Sequence, residues 1–105
     1  MTARTLDGQK IRDQIFAELS DEVRLLTAAG VRPGLAAVLA GENPASQLYV
    51  KSKIAACQQL GLSSALLTPP ATVTTLDLLA VVEDLNRDND VDGILVQLPL
   101  PPQVD

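Results

Sequence analysis

The sequence predicts an α/β fold, a three-layer α/β/α sandwich around a mostly parallel sheet, on three observations. Apolar residues recur at helical spacing in three segments; a short apolar run follows each of them; and the two kinds of segment alternate as helix, strand, helix, strand, helix, strand. Strands joined through helices cross over with a right hand and lie parallel, which leaves helices on both faces of the sheet. With 105 residues, 47% of them hydrophobic, and a mean hydropathy of +0.20, the chain has the apolar material for one core.

The first predicted helix runs from Gly8 to Ala29, because Ile11, Ile15, Leu19, Val23 and Leu26 repeat at steps of four, four, four and three and so share one face. Asp7 caps its start, Gly30 ends it in a left-handed turn, and Pro33 stands just beyond. Gly34 to Ala40 is an almost unbroken apolar run, the signature of a strand covered on both faces, and Gly41-Glu42-Asn43-Pro44 breaks it. A second helix follows from Ala45 to Leu60, with Asn43 as cap, Pro44 at the tolerated first position, Val50, Ile54, Cys57 and Leu60 as the buried stripe, and Gly61 as the stop. Leu62 to Leu67 reads as a strand and Thr68-Pro69-Pro70 as a break. Thr74 or Thr75 caps a third helix whose inner face is Leu78, Leu79, Val82 and Leu85. After the polar turn Asn86 to Asp90, Gly93-Ile94-Leu95-Val96 is a buried strand that runs out at Gln97. The proline-rich end that follows without a closing helix predicts a piece of a longer protein.

Composition removes several classes of function. Eight Lys and Arg against 13 Asp and Glu give a net charge of −5, so binding to a nucleic-acid backbone has no electrostatic source. There is no histidine and only one cysteine, Cys57, which removes the usual general base, an internal disulfide and a Cys-rich zinc site. No apolar run approaches the roughly 20 residues of a membrane span, and the N-terminus lacks the apolar core of a signal peptide, so the expectation is a cytoplasmic protein. Asp88, Asp90, Asp92 and Gly93 match the opening of a calcium loop, but the strand that follows and the missing terminal glutamate rule that loop out. The remaining acidic excess reads as a solvated helix face.

In open parallel sheets ligands collect at the carboxyl ends of the strands. Two features fall at that edge, the loop Gly41 to Pro44 leading into the second helix, and Gln97 leading into Leu98-Pro99-Leu100-Pro101-Pro102. Ser46, Tyr49 and Lys53 lie at i, i+3 and i+7 of the second helix and project from one face as a polar stripe beside the apolar one. A partly buried lysine amine is suited to accepting and returning a proton. Tyr49 offers a flat ring for stacking and a hydroxyl for orientation. From the residues alone, this is a ligand-binding α/β domain.

The segment from Gly41 to Lys53, GENPASQLYVKSK, closely resembles a signature of the bifunctional methylenetetrahydrofolate dehydrogenase/methenyltetrahydrofolate cyclohydrolase family, approximately G-(D/E)-(N/D)-P-A-S-x-x-Y-V-x-x-K. A second segment, Asp92 to Pro101, DGILVQLPLP, is similar to another signature of that family, and Leu6-Asp7-Gly8 resembles its opening. The resemblance covers essentially the whole chain and implies its N-terminal, folate-binding catalytic domain over residues 1 to 105. It implies that Lys53 is the catalytic lysine, that Tyr49 packs on the folate rings and that Gln97 hydrogen-bonds the lysine. Ser46 is implied to position its helix, and Leu98, Pro99 and Pro101 to wall the folate cleft. The implied activity is oxidation of 5,10-methylenetetrahydrofolate with NADP and hydrolysis of 5,10-methenyltetrahydrofolate to 10-formyltetrahydrofolate, in a cytoplasmic homodimer serving one-carbon metabolism and purine synthesis. A dehydrogenase without the hydrolytic activity, and a non-catalytic folate-binding module, are the alternatives. The chain departs from the family in two ways: it has no G-x-G-x-x-G cofactor fingerprint, so NADP falls to a domain it does not contain, and it lacks the aspartate-bearing segment beyond the proline run.

Overall fold

A computed structural model describes residues 2–105. The elements follow in the expected order: α1 (Gly8–Ala28), β1 (Gly34–Val38), α2 (Pro44–Leu60), β2 (Ser63–Leu67), α3 (Thr75–Arg87) and β3 (Gly93–Val96). The sheet is wholly parallel in the order β2-β1-β3, with β1 at its centre. Among the described residues no helix is long and apolar enough to cross a membrane.

Local chemistry sets the boundaries. Asp7 accepts from the Lys10 backbone N–H at the start of α1, and Asn43 does the same for Ser46 at the start of α2, where Pro44 occupies a position whose N–H has no helical partner. Thr74 and Asp77 form a reciprocal capping box on α3. Gly61 ends α2 with φ +80°, a left-handed conformation that a side chain would disfavour.

The side chains of β1 alternate between two cores. Ala36, Val38 and Ala40 point to one face, where they meet Val73 and the α3 residues Leu78 and Leu85. Ala37 and Leu39 point to the other, where they meet Val50 and Ile54 of α2. The expected layering therefore holds, with α2 and α3 on opposite faces. Leu39 and Ala40 stay buried although the paired strand ends at Val38, because the Leu39 N–H continues to the Leu67 carbonyl at 2.9 Å.

Three expectations fail. β3, expected to be a buried strand, is half-buried at all four positions because it lies at an edge of the sheet. Leu79 is 54% exposed instead of facing the core, since it lies about 100° around the helix from Leu78; the half-buried Val81 packs against the core beside Leu78 and Leu85. The apolar face of α1 is also largely uncovered: Val23 alone is buried, whereas Ile11, Ile15, Leu19 and Leu26 are 40 to 51% exposed. α1 packs mainly against α2 and does not lie on the sheet, so most of its stripe has nothing to meet.

Candidate functional site

Strand parity decides which residues meet. Ile94 and Val96 of β3 pack in the α3-side core with Ala36 and Val38, so Gln97, one residue further, turns to the α2 side. Its backbone N–H extends the β3 pairing to the Val38 carbonyl at 2.9 Å, which anchors it at the carboxyl end of the sheet. The chain leaves β1 toward β2 on one side and returns to β3 on the other, so the topological switch point lies between β1 and β3. α2, carrying Lys53, starts from this edge, and Gln97 ends upon it.

The two side chains meet there. Lys53 Nζ donates to Gln97 Oε1 at 2.7 Å across 44 positions of sequence, and both residues are half-buried. Gln97 Nε2 donates in turn to the Leu98 carbonyl at 3.1 Å. That carbonyl also accepts from Ser46 Oγ at 3.3 Å. Ser46 is 2% exposed, and no buried side-chain nitrogen or oxygen among the described residues lacks a partner. The stripe Ser46, Tyr49, Lys53 is therefore graded, with a buried hydroxyl at one end, a half-buried amine at the other, and a Tyr49 ring that is 58% exposed between them.

The proline-rich turn closes one side of this arrangement. The Leu98-Pro99 peptide is cis; Leu98 and Pro99 are exposed and Pro101 is half-buried. Asp92, at the opposite end of β3, accepts from the Gly34 N–H through Oδ2 at 2.9 Å and so serves the sheet's amino end. Cys57 is buried on the inner stripe of α2, and burial pushes its thiol pKa up.

Two features escaped the sequence reading. The Leu98 carbonyl joins Ser46 to Gln97, and no side-chain pattern marks a backbone acceptor. An open cleft of about 980 Å³ lies on the other flank of α2, lined by residues including Leu39, Gln47, Ile54, Leu66 and Pro69. Its signal would have been the exposed leucine on an edge strand, Leu66, which is legible only once the strand order is known.

Comparison with known proteins bears on the whole of this arrangement. Residues 6–105 match the family model described as tetrahydrofolate dehydrogenase/cyclohydrolase, catalytic domain. The chain is 58% identical over 105 residues to the bifunctional protein FolD of Koribacter versatilis, and 52% identical over 105 residues to that of Bordetella avium. In both cases all of this chain is covered, but only 34% and 37% of the relative. Among solved structures it is similar to the bifunctional FolD methylenetetrahydrofolate dehydrogenase/cyclohydrolase of Campylobacter jejuni, with a TM-score of 0.91 and 42% identity over 94% of this chain and 35% of that one. It is equally similar to the Trypanosoma brucei enzyme complexed with NADP and an inhibitor, with a TM-score of 0.92 and 38% identity over 100% of this chain and 36% of that one. The chain thus spans about a third of the length of the curated relatives it matches. With both signature segments meeting in one hydrogen-bonded cluster at the carboxyl edge of the sheet, the chain belongs to the tetrahydrofolate dehydrogenase/cyclohydrolase family and corresponds to its catalytic domain.

Proposed function

We propose that this chain is the folate-binding catalytic domain of an enzyme that oxidises 5,10-methylenetetrahydrofolate with NADP and hydrolyses 5,10-methenyltetrahydrofolate to 10-formyltetrahydrofolate. The observation that carries the reading is the Lys53–Gln97 hydrogen bond of 2.7 Å, set beside the open ring of Tyr49 at the sheet's carboxyl edge. A folate presents a flat aromatic system, which Tyr49 can stack against, and nitrogens adjoining a reactive carbon, which an amine at Lys53 can serve.

The hydrolytic half is within the means of these residues. Water adds to the cationic methenyl carbon, the bond from that carbon to one ring nitrogen breaks, and the carbon stays on the other nitrogen as a formyl group, with one proton released overall. Lys53 is suited to take the proton from the attacking water and return one to the departing nitrogen. Gln97 holds the amine in place by accepting from it. The residues present do not make an NADP site, since no glycine-rich strand-to-helix turn of the dinucleotide type occurs in the sequence, and no step of hydride transfer is assigned to this chain. The extension to a cytoplasmic homodimer that feeds one-carbon units to purine synthesis rests on the family resemblance alone.

Two measurements test the reading. In the full-length enzyme, Lys53→Met is expected to lower cyclohydrolase activity by about a hundredfold or more while circular dichroism stays unchanged, the usual cost of losing a positioned acid–base group. Near-normal hydrolysis in that variant removes Lys53 from the mechanism. Calorimetric titration of tetrahydrofolate into this chain is expected to show binding that Tyr49→Ala weakens by about 1–3 kcal/mol, the scale of base–aromatic stacking. Equal affinity in the two proteins eliminates the stacking role.

A further inference from the structure

We propose that Ser46 is a positioning residue for the Lys53–Gln97 pair, acting through the Leu98 carbonyl to set which end of the Gln97 amide faces the lysine. The proposal deepens the functional reading above, because it concerns the pair on which that reading rests.

A glutamine amide has one accepting end and one donating end of nearly equal shape, so its orientation is decided by its neighbours. Here the neighbours demand opposite things. Lys53 Nζ acts as the donor, and it lies 2.7 Å from Oε1. The Leu98 carbonyl only accepts, and it lies 3.1 Å from Nε2. Turning the amide over would set two donors against each other at one end and two acceptors at the other. Lys53 and the Leu98 carbonyl thus hold the same orientation from its two ends, and the carbonyl's share of that hold lasts only while it keeps its place.

That carbonyl belongs to an exposed turn: the Leu98 side chain is 67% exposed and Pro99 is exposed too. The contact that ties it into the interior is Ser46 Oγ, at 3.3 Å. Ser46 is itself fixed from two sides, by burial to 2% and by the cap that Asn43 Oδ1 places on its N–H at 3.0 Å. Its hydroxyl has a single proton, which goes to Leu98; the carbonyl's second lone pair is left for Gln97. The serine thus reaches the lysine through a relay of one hydroxyl, one backbone carbonyl and one amide. A serine whose only task was to stabilise the first turn of α2 would have no need to point its hydroxyl at a strand terminus 52 residues away.

The test reads the Gln97 side-chain amide by nitrogen–proton NMR in this chain, without folate. In the wild type the two Nε2 protons should be well separated in shift, with the Leu98-bonded one protected from exchange. Ser46→Ala is expected to draw the two shifts together and to speed exchange by about tenfold, the effect of losing one hydrogen bond's worth of order. Ser46→Thr keeps the hydroxyl and should preserve the wild-type signature; Ser46→Cys fills the same space with a weak donor and should resemble alanine. If the alanine variant does not fold, the threonine and cysteine variants decide the matter. A wild-type Gln97 amide that exchanges like a free glutamine overturns the proposal. So does an unchanged Gln97 signature in Ser46→Ala or Ser46→Cys, whatever happens to global stability. Because the readout needs no ligand, a failure to bind folate counts against the functional reading and leaves this result standing.

Discussion

At the scale of single residues, buried polar and titratable groups behave differently according to whether they have partners. Ser46, almost fully enclosed, is matched by a carbonyl, whereas Cys57 sits on an apolar stripe where burial alone raises its thiol pKa. A thiol whose pKa is higher in the folded state than in the unfolded state makes a contribution to stability that is intact below the ordinary thiol pKa. That contribution is lost as pH rises from the ordinary value through the raised one. Denaturant unfolding across that alkaline window should therefore show a steeper loss of stability in the wild type than in Cys57→Ala; parallel curves would show that folding does not raise the thiol's pKa. The same burial predicts that Cys57 resists alkylating reagents until the chain is unfolded, which mass spectrometry with and without urea can check. Sequence spacing alone placed Cys57 on the inner stripe of α2, but the environment of Ser46 was not legible in that way. Its hydroxyl depends on a backbone carbonyl from β3's far end, and helical periodicity says nothing about partners on another strand.

Among elements, β1 and α1 show what an apolar pattern does and does not specify. The run from Gly34 to Ala40 is apolar at every position because α2 covers one face and α3 the other, so the reading of a doubly covered strand carried directly into structure. Its first residue is fixed by a close approach: a Cβ added at Gly34 would run into the Asp90 carbonyl, and the neighbouring Asp92 carboxylate already holds the Gly34 N–H. Gly34→Ala is therefore expected to destabilise the fold by about 1–3 kcal/mol, the range for overpacking a tight site. Gly8→Ala, at a helical position with open space around it, should be neutral or stabilising by up to about 1 kcal/mol. Thermal unfolding of the two variants side by side distinguishes a local steric conflict from a general intolerance of lost glycine. The periodicity of α1 was as clear as that of α2, yet it yielded a helix with one buried residue, because a hydrophobic stripe states which face seeks cover and not whether the chain supplies it.

For the molecule as a whole, that uncovered helix shapes everything else. The Cα radius of gyration is 16.7 Å, against about 13 Å for a compact domain of this length, and the principal extents are 49 × 46 × 18 Å. The molecule is a slab, with its central strand well enclosed and α1 held mainly by its contact with α2. Native-state hydrogen exchange should accordingly divide the chain: amides of β1 should exchange only through global unfolding, and those of α1 through a lower-energy opening. Uniform protection across both elements would contradict that division. The element order and the importance of the sheet's carboxyl edge were legible from alternation alone, whereas the switch point and the slab shape were not, since they depend on strand order and contacts that no local pattern encodes. The parity of β3 carries the last consequence. Gln97 meets Lys53 only because Val96 stands opposite Val38, and a slip of one residue in that pairing would turn the amide to the α3 side and leave the amine facing Val96 or Leu98. The Lys53–Gln97 hydrogen bond is thus a proofreading signal for sheet assembly: molecules that pair β3 wrongly cannot form it.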